Sequence, residues 1–137
     1  MTSFVSKPKY QFGAVVFFLL IHAGLAAVWW TRPTKSLLAW LAVTYSIRMF
    51  GVTAGYHRYF GHRSYKLGRF AQFAMAFLAQ SSAQKGVLWW AAHHRRHNKY
   101  SDQEGDVHSP VQAGLWWSHV GWIVSAKSDP TEWDAIK

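Results

Sequence analysis

The sequence predicts an all-α integral membrane protein, with two transmembrane helices followed by helices that lie at the membrane interface. Three observations predict it. Two long apolar runs stand near the N-terminus, each flanked by cations and aromatic residues. Half of the 137 residues are hydrophobic, nine of them tryptophan, and none is cysteine. After the second run, cations and histidines gather into two dense clusters around short apolar segments.

The first run, Tyr10 to Trp30, is 21 residues without a formal charge. At about 1.5 Å per residue a helix of that length reaches roughly 31 Å, the thickness of one bilayer core. Lys7 and Lys9 precede it, and Trp29, Trp30 and Arg32 follow as interfacial anchors. The opening "MTSFVSKPKY" lacks the layout of a secretory signal, so the run is expected to be retained. Pro33 cannot continue the helix and marks a turn. Ser36 to Tyr56 is the second span, interrupted by Arg48. A lone arginine costs about 2.5–3.5 kcal/mol on insertion scales, which the surrounding apolar side chains offset. Lying past the middle, it can snorkel or face a polar interior. The run leads straight into His57.

Only 30 residues, Arg63 to Ala92, separate His62 from His93. Two crossings need about 40 apolar residues and a turn, and a single crossing would part the clusters onto opposite faces. Leu67 to Trp90 is therefore expected to be a helix or re-entrant segment in the interface, leaving both clusters on one face. That face carries eight cations between Arg58 and Lys99, against Arg32 and Lys35 in the opposite loop. The positive-inside rule makes it cytoplasmic, together with the N-terminus. From Asp102 the chain reads as loop, then as another interfacial element over "GLWWSHVGWIV". The formal net charge of +9 sits beside apolar runs and tryptophans, which suits anionic lipid as a partner and not nucleic acid.

Without cysteine there can be no disulfide, iron–sulfur cluster or cysteine-held zinc, so any metal rests on His, Asn, carboxylate or water. "GYHRYFGHRSYK" places His57 and His62 five apart. On an α-helix they diverge by about 140°, so Gly55 and Gly61 are expected to end the helix and turn His62 back. In "WWAAHHRRHNKYSD", His94, His97 and Asn98 stand at i, i+3 and i+4, within about 100° of one face. His93, His94 and His97 fit one face equally well. Neutral imidazole suits iron, copper or zinc. A solitary histidine such as His22 is more often a packed or hydrogen-bonded residue, and Arg-Arg-His by itself could be solvated charge against lipid headgroups. Two clusters on one face favour metal.

At these residues the chain resembles a known family. "HRYFGHRSYK" from His57 resembles the HxxxxH first box of membrane fatty acid desaturases of the acyl-CoA Δ9 type, and "HRRHN" from His94 matches their HxxHH second box except in its last place. "TAGYH", "SDQEGDVHSP" and "WWSHVGW" are similar to bacterial members, so the resemblance runs over residues 40 to 125. It implies that residues 1–137 are the N-terminal part of a four-span di-iron desaturase, with spans about 10–30 and 36–56 and a His-box region at 57–108. It further implies two non-haem ferrous ions, O2, and two electrons from a donor of the cytochrome b5 or ferredoxin type. The substrate would be a long-chain acyl-CoA or acyl-lipid, given a cis double bond of Δ9 type.

By position, the resemblance makes His57, His62, His94 and His97 metal ligands, with no catalytic residue beyond the ligands. Where the family has a further histidine this chain has Asn98, able to offer a carbonyl oxygen or hold a ligated water. His93 is the alternative, through a small rotation of the helix. Gln84 and Trp90 fall where the family lines its bent acyl tunnel, though Trp90 also reads as an interfacial anchor. His108 and His119 match family positions outside the ligand set, as hydrogen-bonding groups around the site. A third box is absent, and four histidines cannot fill two six-coordinate irons, so the expectation is a fragment or truncated product, inactive alone. Two rivals remain: a membrane di-iron hydroxylase or ketolase, and a non-catalytic metal- or lipid-binding membrane module. "SYK" after the first box and "HSP" after the second favour a desaturase.

Overall fold

A computed structural model describes residues 9–136. Lys7 lies outside the described residues. Regular structure among them is helical, apart from an isolated bridge between Tyr10 and Ser125. The chain divides into two compact units, one of residues up to Thr31 with Tyr100–Pro130, the other of Arg32–Lys99 with residues 131 onward.

In the first unit, α1 (Phe12–Ala26) tightens into a 3₁₀ turn at Ala27–Trp30. Together they form a 19-residue helix, Phe12–Trp30, long and apolar enough to cross a membrane. None of its residues is buried, and Phe12, Leu20, Leu25, Trp29 and Trp30 stand largely exposed. Its entry is tied to the later chain, since Gln11 N–H donates to Val124 O (2.8 Å) and Ala126 N–H to Lys9 O (2.8 Å). From Asp102 to Ser109 the chain is loop, as expected from sequence, and a helical element follows it. Ser109 caps α5 (Pro110–Trp116), accepting from Val111 N–H and Gln112 N–H at 3.2 Å, while its hydroxyl donates to Asp102 (2.7 Å). A proline in the first helical position helps, because its missing N–H would have been unsatisfied there. Past a kink at Gly114 (φ 81°) the helix continues, wound as a π-helix, over Trp117–Gly121.

In the second unit, Thr34 caps α2 (Lys35–Phe50) by accepting from Leu37 N–H at 3.2 Å. Arg48 stays exposed near its end. The helix passes through Gly55, which was expected to end it, and runs on as a π-helical segment over Gly51–Gly61, ending at Gly61 as expected. The continuous helix Lys35–Gly61 has 27 residues and is again apolar enough to span. The glycines also serve close approach. A Cβ at Gly51 would lie 2.9 Å from Leu78 O, one at Gly55 3.2 Å from both Ala79 and Met75, and one at Gly61 3.0 Å from His94. The chain turns only after Gly61, through Arg63 at φ 53°.

The single segment expected over Leu67 to Trp90 is in fact two helices, α3 (Arg69–Gln80) and α4 (Val87–Tyr100). Between them Ala83 (φ 59°) and Lys85 (φ 66°) take the left-handed conformation, which no continuing helix allows. The core of this unit gathers where the π-helical segment, α3 and α4 meet, at Tyr56, Ala79, Trp89, Ala91, Ala92 and His93.

Candidate metal centre

Winding decides where the first two histidines point. In a π-helix each turn closes between residues five apart, and His62 N–H indeed donates to His57 O at 3.0 Å. The five-residue spacing that splits a pair across an α-helix therefore stacks it on one face here. The Nε2 atoms of His57 and His62 are 3.2 Å apart. α4 brings a third, His94, whose Nε2 lies 3.1 Å from that of His62. The three rings meet edge-on, with centroids 4.6, 4.7 and 5.0 Å apart. One donor nitrogen from each falls within 4.8 Å of the others.

This donor set fits a metal ion. A single N–H can bridge only one pair of imidazole nitrogens, so three converging on one point leave lone pairs facing each other. A cation there accepts all three, and imidazole is a good ligand for iron, copper or zinc. The approach to water is partly shielded. Trp90 stacks on the His94 ring (4.7 Å, 27°) and meets His57 edge-on, and Tyr56 stacks behind it (5.3 Å, 13°). Tyr56 is fully buried, its hydroxyl donating to the Lys85 carbonyl.

Of the remaining sequence candidates, Asn98 lies at the cluster, its amide nitrogen 3.1 Å from His94 Nε2. Turning that amide over would present its oxygen at the same place. His93 belongs elsewhere on α4. It is buried, its Nδ1 lies 2.9 Å from Trp89 O, and its ring stacks on Trp89 at 4.2 Å. Burial pulls its pKa below the ordinary histidine range. His97 is half-buried one turn along and is not one of the three clustered histidines. Trp90 donates to Gln84 at 3.1 Å, so the pair expected to contact an acyl chain is joined. His108 and His119 belong to the first unit, where His108 packs on Trp122 at 4.7 Å and His119 is exposed.

An open groove of about 910 Å³ flanks the π-helical segment, α3 and α4. Phe60, Phe73, Val87 and Leu88 give it apolar walls, and Arg63, Lys66, Arg69 and Arg95 add positive charge. Burial and the neighbouring Arg63 pull the Arg95 guanidinium below its usual range.

Spacing reasoning missed Tyr56, Gly61 and Arg95. Their partners are 29 to 41 residues distant along the chain, beyond any local pattern, Gly61–His94 being 33 apart. The only hint was adjacency, since each neighbours a cluster histidine.

No family model matches the chain. A hex-5-enoyl-(acyl-carrier protein) acetylenase of Moorena producens is 36% identical over 112 residues, 74% of this chain and 35% of that protein. An acyl-CoA 5-desaturase of Anemone leveillei is 35% identical over 82% of this chain and 36% of its own length. An sn-1 stearoyl-lipid 9-desaturase of Synechocystis is 32% identical over 90% of this chain and 41% of its own. The chain thus spans well under half the length of these relatives. With these similarities over most of its residues, and with the two histidine boxes converging in space, the chain belongs to the acyl-CoA and acyl-lipid desaturase family.

Proposed function

We propose that this chain supplies the first two histidine boxes of a membrane di-iron fatty acyl desaturase, which inserts a cis double bond of Δ9 type into a long-chain acyl-CoA or acyl-lipid. The observation that carries the reading is the convergence of His57, His62 and His94 nitrogens from two helices. These three would hold metal, with His97 and Asn98 completing the ligands drawn from α4. The chemistry that iron supplies when bound there is the O2-dependent removal of two hydrogens from adjacent methylenes, with two electrons from a cytochrome b5 or ferredoxin-type donor.

The chain's own residues have simpler tasks. Trp90, stacked between His94 and Tyr56, holds the imidazole in orientation and keeps water from one side. Gln84 and Trp90 would contact the acyl chain. The cationic groove suits the anionic end of an acyl-CoA, an acyl carrier or a lipid.

Both boxes and the N-terminus are assigned to the cytoplasmic side, with the two apolar helices as spans. Support for an interfacial α3 comes from its outer stripe, Phe70, Phe73 and Phe77, exposed by 85, 70 and 69%. Ligand count makes the 137-residue chain alone inactive in this reading. The hydroxylase or ketolase alternative shares the same boxes.

The test is a chimaera in which this chain replaces its matching stretch of the Synechocystis desaturase, expressed in a host lacking that activity. New monounsaturated acyl chains that vanish with His94→Ala are expected. Hydroxylated or oxo products would select the rival chemistry. No modified lipid, from a chimaera that folds and inserts, would favour a non-catalytic membrane module.

A further inference from the structure

The two helices that carry the histidine cluster are joined by one side chain. Arg95, next to His94 on α4, reaches across to the end of the π-helical segment. Its Nε donates to Gly61 O (2.9 Å) and its Nη2 to Phe60 O (2.9 Å). Its Nη1 donates to Ala135 O (3.2 Å) and Ile136 O (3.0 Å), and Arg63 also donates to Ile136 O at 3.0 Å. Phe60 and Gly61 are the last residues before His62, and the carbonyls that close a helix lack intrahelical partners. A guanidinium presents its donors in a planar fork, which holds two neighbouring carbonyls in fixed relation. It also places positive charge at the negative end of the helix.

Consider what this does to the cluster. Gly61 has no side chain, so the π-helical segment and α4 approach until a Cβ there would be 3.0 Å from His94. Close packing sets the separation of the helices but does not prevent one sliding along the other. The Arg95 fork does, because it bonds backbone atoms adjacent in sequence to His62 from a residue adjacent to His94. We infer that Arg95 is a positioning residue for the metal site, fixing the register of the two histidine-bearing helices through the Phe60 and Gly61 carbonyls. The inference rests on the reading of His57, His62 and His94 as metal ligands. In this role Arg95 does not touch the metal.

Lysine keeps the charge but offers one nitrogen, which cannot span both carbonyls in the fork geometry. Glutamine removes the charge and reaches less far. The experiment titrates Co2+, a spectroscopic stand-in for Fe2+, into the detergent-solubilised 137-residue chain and reads ligand-field absorption. Far-UV circular dichroism checks folding. Arg95→Gln should weaken Co2+ binding by about 10- to 100-fold, the scale typical of groups that orient ligands from behind, and shift the absorption bands. Arg95→Lys should fall between Arg95→Gln and the parent. Should Arg95→Gln fail to fold, Arg95→Lys carries the comparison by the same two readouts. His94→Ala is the control for the underlying reading and should abolish the bands. If His94→Ala abolishes binding while folded Arg95 variants match the parent in affinity and spectrum, Arg95 is only a structural residue and the inference is overturned. If His94→Ala binds Co2+ like the parent, the ligand reading itself is wrong and the inference falls with it.

Discussion

Two helices of this chain share a long apolar run and differ in what they do with a histidine. Phe12–Trp30 and Lys35–Gly61 are both long and apolar enough to span a bilayer. In the first, His22 turns back on its own helix, with Nδ1 2.7 Å from Phe18 O and its ring against Phe18 at 4.2 Å. In the second, His57 and His62 project together toward a third imidazole. The first helix ends by tightening into 3₁₀ turns, whereas the second ends by widening into π turns. The glycines differ in the same sense. Gly13 and Gly24 of the first helix meet nothing within 4 Å, while Gly51, Gly55 and Gly61 each abut another helix. A histidine in an apolar helix becomes a candidate ligand when pitch and close approach provide it with company; its own burial or charge does not suffice.

The largest expected effect is removal of one of the three converging nitrogens. His94→Ala takes away the contribution of α4 to the cluster and should weaken Co2+ binding beyond the roughly 10- to 100-fold typical of groups behind ligands. Isothermal titration of the solubilised chain measures this. Binding that persists at parental strength would show that the two helices do not differ in the way proposed.

A paired glycine experiment comes next. Gly61→Ala introduces a methyl 3.0 Å from the His94 ring and 3.1 Å from Tyr56 O, the latter being backbone that cannot swing away. Overpacking of this kind costs about 1–3 kcal/mol and should also displace His94 from His62. Gly24→Ala in the first helix meets nothing, and should be neutral or stabilising by about 0.5–1 kcal/mol. Thermal unfolding should therefore fall for Gly61→Ala and stay level or rise for Gly24→Ala. Equal shifts would erase the contrast in packing.

These pairs also show how far the sequence could be read. Both long apolar helices were legible because about twenty apolar residues announce themselves by length and flanking anchors. The two boxes were legible by residue type. The pitch between His57 and His62 was not. π winding leaves no mark in composition, so Gly55, which lets two helices touch, read as a glycine that stops a helix. The break between α3 and α4 was passed over, although "SSAQKG" has the small polar residues of a turn. Arg95 read as one cation of a basic cluster, because its bonds to Gly61 and Ile136 cross 34 and 41 residues. Local pattern reports elements; which side chain ties one element to another depends on contacts formed only on folding.

A smaller effect is expected at Asn98, whose amide lies at the edge of the cluster. Asn98→Leu removes the only oxygen that α4 can present beside His94 from that position and should weaken Co2+ binding severalfold, on the order of 1 kcal/mol. Asn98→His offers an imidazole in its place and should strengthen it. His93→Ala should leave Co2+ affinity close to parental, since that ring is occupied with Trp89. The reverse order, with His93→Ala abolishing binding and Asn98→Leu silent, would mean that α4 presents a different face to the metal.

The smallest effect is expected at His22, and it is the sharpest check on the comparison. His22 is exposed on a helix with no buried residue, and its one described hydrogen bond is to a carbonyl already within the same helix. Leucine at this position loses that bond but removes an imidazole from an apolar, exposed surface. Leucine at a span centre contributes favourably to insertion by about 0.3–0.6 kcal/mol. His22→Leu should accordingly leave Co2+ affinity and ligand-field bands at parental values, and insertion into liposomes equal or improved. Weakened Co2+ binding with insertion intact would make His22 a participant in the metal site. The distinction between a histidine that serves its own helix and histidines that serve a shared centre would then have to be drawn elsewhere.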